Sequence, residues 1–208
     1  MVLRYDLMRY QESFGQLIEK IAFLQMKILK DYRIPIRGAI TKGQIYLDDK
    51  IVFGSGLIKV ENLERTEAQY PRIILDESIS NIINNVDSIL IKKDFDDKYY
   101  IDFFSAMKLG NIYTPKPEEK KTICKMRDSV HYLVERYGHY DNRFKDRIKI
   151  DETGKTILKY LWLVEKYNEF VKDRKIPVKI SYQVSINPKF FKFELNGIEK
   201  NSWPVVVN

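Results

Sequence analysis

Residues 34–75 read IPIRGAITKGQIYLDDKIVFGSGLIKVENLERTEAQYPRIIL, and this punctuated stretch restricts the fold more than any other part of the chain. It holds Gly38, Gly43, Gly54 and Gly56 between two prolines, Pro35 and Pro71, so its turns are fixed at short intervals. Residues 36–47 alternate and carry β-branched side chains, which predicts a strand. Asp48-Asp49-Lys50 predicts a turn, and Ile51-Val52-Phe53 a returning strand. After Gly54-Ser55-Gly56 the apolar residues Leu57, Val60 and Leu63 recur at helical spacing to about Ala68. Tyr70-Pro71 breaks the helix, and Arg72-Ile73-Ile74-Leu75 predicts a buried strand. Gly38 allows close backbone approach within a strand, and Gly54 and Gly56 precede a helix start that can hold an anion. The same glycines also serve as plain hairpin and turn residues.

The flanking segments supply elements that can bury one face each. Val2-Leu3-Arg4-Tyr5 predicts a strand. From Tyr10 to about Lys30, Phe14, Leu17, Ile18, Ile21, Leu24, Ile28 and Leu29 recur as in an amphipathic helix, which Arg33-Ile34-Pro35 ends. Residues 36–53 are expected to form one antiparallel hairpin packed on that helix, because neither is stable alone. A helix over 77–84 and a hairpin of 89–92 with 99–102, about the turn Asp94-Phe95-Asp96-Asp97, complete the first part. Residues 110–117 read as a linker. Two helices follow, one marked by Ile123, Met126, Val130, Leu133, Val134 and Tyr137. The other is marked by Ile157, Tyr160, Leu161, Val164, Tyr167 and Val171, and residues 180–207 add extended segments.

Composition narrows the class. The chain has 208 residues, 44% hydrophobic and 31% charged, enough apolar material for a packed core. With a single cysteine, Cys124, no intrachain disulfide forms, which fits a reducing compartment. Two histidines, His131 and His139, without CxxC or HxxxH spacing, give no structural zinc motif. MVLRYDLMRY lacks a signal-peptide core, and no apolar run approaches the roughly 18 residues of a membrane span, so a cytoplasmic protein with no membrane span is expected. The net charge of +7 is uneven: residues 1–104 carry 15 basic and 16 acidic side chains, and residues 105–208 carry 21 and 13. A basic second half attracts nucleic acid, nucleotides or anionic lipid, or is a lysine-rich solvated surface.

The order of elements and particular residues resemble the class III nucleotide cyclase domain, and more closely a bacterial cyclase-like branch. That branch shows RGxIxxGxxY, then IVFGxxLxxxxxLE, then YPRI. The matching residues are Arg37, Gly38, Ile40, Gly43, Tyr46, Ile51, Val52, Phe53, Gly54, Leu57, Leu63, Glu64, Tyr70, Pro71, Arg72 and Ile73. Lys159-Tyr160-Leu161-Trp162-Leu163 with Tyr167-Asn168 is similar to the branch's KYxWL…YxN helix. The resemblance covers about half the chain. It implies an α+β fold: an antiparallel-rich sheet with helices on one face, a ferredoxin-like, cyclase-type core that is N-terminally incomplete. It also implies nucleotide handling and signalling, a nucleoside triphosphate ligand, a homodimer, and Arg37, Lys42, Gly54, Asn62 and Arg72 as nucleotide- or phosphate-binding residues.

The departures bear on activity. Class III cyclases use two aspartates that hold two divalent ions, and those ions promote attack by the ribose 3′-hydroxyl. Neither aspartate has a counterpart here, since Asp6 falls too late in the pattern, so magnesium or manganese is expected only with an intact N-terminal segment, and with no other cofactor. Counted from Gly54, the positions of the family's nucleotide-contacting asparagine and arginine carry Ile58 and Asn62, and the base-selecting position carries Ile51. The expectation is a catalytically inactive cyclase-like protein, with residues 1–110 a partial cyclase-like domain and 111–208 a helical, basic region with an extended tail. Two alternatives stand beside it: a non-catalytic regulatory or protein-interaction module, and a nucleic-acid-binding protein using Lys120, Lys121, Lys125 and Arg127 with Tyr132, Tyr137 and Tyr140. Asp94, Asp96 and Asp97 read as a solvated turn rather than a cation loop, and Trp162 as core rather than a ligand platform.

Overall fold

A computed structural model describes residues 14–84, 89–108, 117–138 and 150–173. The architecture is α+β, with a mixed four-stranded sheet and a separate two-stranded one. Helix α1 (Phe14–Tyr32) buries Phe14, Ile18, Ala22, Gln25 and Leu29, the stripe that the 3.6-residue period places on one face. It ends where expected. Arg33 turns into left-handed conformation at φ 58°, and its N–H donates to the Leu29 carbonyl at 3.0 Å, closing the last turn ahead of Pro35.

Strand β1 (Gly38–Ile40) pairs in parallel with β4 (Ile73–Leu75), in the register Gly38–Ile73, Ala39–Ile74, Ile40–Leu75. A parallel pair needs a crossover, and α2 (Ser55–Thr66) supplies it, packing on β1. β4 then pairs antiparallel with β6 (Tyr99–Ile101), and β6 with β5 (Ile91–Lys93), giving the order β1-β4-β6-β5. The sheet is thus antiparallel-rich, and the 89–102 hairpin forms as its sequence predicts. A 3₁₀ turn (Glu77–Ile79) and short α3 (Ser80–Asn84) follow β4, and a 3₁₀ segment (Phe103–Lys108) follows β6.

The single hairpin expected over 36–53 is instead two structures. Residues 38–40 join the main sheet, while β2 (Tyr46–Leu47) and β3 (Val52–Phe53) form their own antiparallel ribbon. The cause is a backbone crossing. A Cβ on Gly43 would lie 2.4 Å from the Gly56 Cα, and one on Gly54, at φ 145°, 2.4 Å from the Gln44 carbonyl oxygen. Only glycine permits this approach, which ties residues 43–44 to residues 54–56, with the Gly56 N–H donating to the Gln44 carbonyl at 2.9 Å. Nor does this stretch pack chiefly on α1. That helix lies against the Phe103–Lys108 segment and α4 (Pro117–Gly138).

Helix α4 and α5 (Ile150–Asp173) pack on one another, and α5 also meets the Phe103–Lys108 segment. The main apolar cluster runs from Phe14 through Ile79, Leu90, Tyr100 and Phe104 to Met126, Leu133, Trp162 and Val171. It takes residues from both sides of position 110. No described helix is long and apolar enough to cross a membrane. The readings for 2–5, 110–116 and 180–207, and Asp6, lie outside the described residues.

Candidate functional site

Parallel β1 and β4 end side by side, so the residues that follow them, Thr41 and Asp76, emerge together, with the Asp76 N–H donating to the Ile40 carbonyl at 2.9 Å. The carboxyl ends of parallel strands are a common place for a ligand crevice, because connecting loops part there. Here five polar residues meet. The Thr41 hydroxyl donates to Asp76 Oδ2 at 2.7 Å, and Lys59 Nζ from α2 reaches the same oxygen at 2.5 Å. The Ser78 hydroxyl and its N–H (3.3 Å) also donate to Asp76 Oδ2. The Lys42 N–H donates to Ser78 Oγ at 3.2 Å, and its ammonium is exposed and forms no ion pair among the described residues. Burial pulls the Asp76 carboxyl upward, but the hydrogen bonds from Lys59, Ser78 and Thr41 outweigh it and hold the group well below the usual carboxylate range. The patch therefore gathers the Lys59 ammonium, the Thr41 and Ser78 hydroxyls and the Lys42 backbone N–H about one ionised carboxylate.

Of the residues that the resemblance points to, only Lys42 takes part, and through its backbone N–H. Arg37 is bound to Glu64 on α2 at 2.5 Å. Gly54 serves the backbone crossing, and its carbonyl accepts from Leu57 and Ile58 at the start of α2. Asn62 is exposed on α2, where its carbonyl accepts from the Thr66 hydroxyl. Arg72 is fully buried, and no phosphate reaches it in this arrangement. Lys59, Asp76, Thr41 and Ser78 escaped the sequence reading. Their one signal was Asp-x-Ser directly after an apolar strand, the pattern of a capped turn.

Arg72 instead builds a second polar cluster, buried at Arg72 and Asp94 and reaching solvent at Asp96. Its two terminal nitrogens donate to Asp94 and Asp96. Asp94 also accepts from the Trp162 indole N–H at 2.8 Å and pairs with Lys166 Nζ at 3.1 Å, both from α5. Tyr70 stacks on Trp162 with centroids 6.1 Å apart, and Tyr100 meets the indole edge-on at 5.7 Å. The reading of 94–97 as a solvated turn is thus corrected for Asp94, whose side chain is wholly buried, and holds for Asp97, 85% exposed. Trp162 is core, as expected. Glu165 flanks the cluster with Oε2 buried and unpartnered, and burial raises its carboxyl above the ordinary range.

A two-metal carboxylate site does not fit these residues. Among the described residues no group of three or more His, Cys, Asp or Glu side chains is placed to hold a metal. The oxygens of the 94–97 turn are engaged by Arg72, Trp162, Lys166 and Lys93. On α4, Lys121 and Lys125 are exposed, Arg127 pairs with Asp128, and Tyr132 stacks under Arg33 at 4.3 Å, so this basic face is partly neutralised. No family model matches the chain, and neither a curated protein nor a solved structure matches it.

Proposed function

We propose that this chain is a nucleotide-handling module of cyclase-like, ferredoxin-type architecture that binds the phosphates of a nucleoside triphosphate without cyclising it. The observation that carries this is the convergence of Lys42, Lys59, Thr41 and Ser78 at the carboxyl ends of β1 and β4. An ammonium group, two hydroxyls and a backbone N–H brought together at one strand end are donors of the kind a polyphosphate needs. Turnover is absent because, of the two helix positions that would contact nucleotide, one carries the exposed, apolar Ile58 and the other the uncharged Asn62, and the base-selecting position carries the exposed Ile51. Neither helix residue brings a charge to stabilise developing charge. No step runs through magnesium or manganese, for which the described carboxylates offer no site. Such a module suits signalling in the cytoplasm, where a chain with the lone thiol of Cys124 stays reduced.

The test is calorimetric titration of the purified chain with ATP, GTP, CTP and UTP. At least one binds, and Lys42→Glu weakens it tenfold or more. Equal binding by wild type and Lys42→Glu overturns the assignment, and formation of a cyclic nucleotide overturns the claim of no turnover.

A homodimer belongs to the same proposal and has its own support. Tyr46, Leu47, Ile51, Val52, Phe53 and Ile58 are all exposed, from 37% to 62%, and gather on the β2–β3 ribbon and the start of α2. Tyr46 meets Phe53 across the ribbon with ring centroids 4.9 Å apart, while Leu47 faces Val52 on its other side, so both faces of the ribbon expose apolar side chains. Both outer edges of the ribbon are unpaired among the described residues. A second copy pairs with such an edge about a two-fold axis, each ribbon meeting itself.

A further inference from the structure

Asp76 Oδ2 alone accepts from Thr41 Oγ1, Lys59 Nζ, Ser78 Oγ and Ser78 N. A carboxylate has about four lone-pair directions over two oxygens, so four donors on one oxygen is a crowded arrangement. The donor set that would cradle a phosphate oxygen already holds an anionic oxygen of the chain itself. Lys59 is 43% exposed at its side chain, so the ammonium is free to turn toward solvent-borne anions. Asp76 is only 12% exposed and is fixed by the turn it caps, Glu77–Ile79.

We propose that Asp76 is a built-in competitor for the anion, sharing the donors of Lys59, Thr41 and Ser78 and so setting the affinity of the crevice. This rests on the phosphate-binding reading above. An incoming phosphate takes Lys59 from Asp76 and meets the repulsion of the carboxylate left behind. The low proton affinity of Asp76 means that this charge persists throughout the neutral range. Repulsion grows with the charge of the ligand, so its removal helps a highly charged ligand more than a weakly charged one.

The experiment measures binding of inorganic tripolyphosphate and orthophosphate to wild type, Asp76→Asn and Asp76→Asn/Lys59→Ala by calorimetry. Asparagine keeps the size, an acceptor for Thr41 and Ser78, and the capping role. Asp76→Asn is expected to bind tripolyphosphate about tenfold tighter, one unit charge at a few ångströms in a wet site being worth roughly that factor. The gain is smaller for orthophosphate and vanishes in the double variant. A purely structural role for Asp76 predicts no such dependence on ligand charge. If wild type binds tripolyphosphate and Asp76→Asn binds it no tighter, the competitor role is overturned while the phosphate reading stands. If neither binds, both fall. Should Asp76→Asn not fold, Asp76→Ser, a neutral residue that also caps the turn, is measured against the same outcomes.

Discussion

Arg72 and Asp94 lie in sequence-distant turns, yet each completes the other at full burial. Taking the guanidinium away leaves Asp94 buried with only Lys166 and the Trp162 N–H, and leaves a cavity, which costs more than the pair itself contributes. Arg72→Ala should therefore destabilise the chain by about 3–5 kcal/mol in chemical denaturation. A loss below about 1 kcal/mol would mean that solvent reaches the pair. Glu165 makes a second test. Burial raises its carboxyl in the folded chain, so between its unfolded value near 4.3 and the raised value the native state binds more protons than the unfolded. Stability from this group thus falls as pH rises through that window, and Glu165→Gln should flatten the fall in denaturation midpoints measured from pH 4 to 8. An unchanged slope would show that Glu165 finds a partner. These residues mark a limit of legibility. A run of Asp-Phe-Asp-Asp looks solvated because turns are usually wet, and nothing local reveals that Arg72, 22 residues away, and Trp162, 68 away, close over Asp94.

Elements with a strong period were legible: α1, α2, α4, α5 and the β5–β6 hairpin stand where apolar spacing puts them. The 36–53 segment was not, because alternation reports a strand but not its partner. Gly43 and Gly54 decide that partner, through a contact between backbones that leaves no periodic trace. Gly54→Ala should cost about 2 kcal/mol or more, since alanine meets both the Gln44 carbonyl and an unfavourable positive φ. A loss of a few tenths would show that the crossing relaxes easily. All four residues of the ribbon that results are exposed and apolar, and Phe53→Glu tests what it does. In sedimentation equilibrium the wild type should be dimeric and Phe53→Glu monomeric with its fold intact. A monomeric wild type contradicts the dimer proposal.

Across the whole molecule, helices α4 and α5 complete the core that α1 and the sheet begin. Trp162, fully buried between Tyr70, Tyr100 and Asp94, joins α5 to the sheet. Core residues on both sides of position 110 should therefore unfold together, with indole fluorescence and far-UV circular dichroism giving one midpoint. Two separated transitions would show independent units. The candidate site was less legible than the core. Lys42 carried a recognisable pattern, but Lys59, Asp76 and Ser78 came together only through the parallel pairing of β1 with β4. The central claim, that this crevice receives a triphosphate, is tested most directly by amide chemical-shift mapping of the labelled chain titrated with ATP, GTP, CTP and UTP. The largest saturable shifts should fall at Thr41, Lys42, Lys59, Asp76 and Ser78; shifts confined to the α4 face of Lys121, Lys125 and Arg127, or none with any of the four, would contradict it.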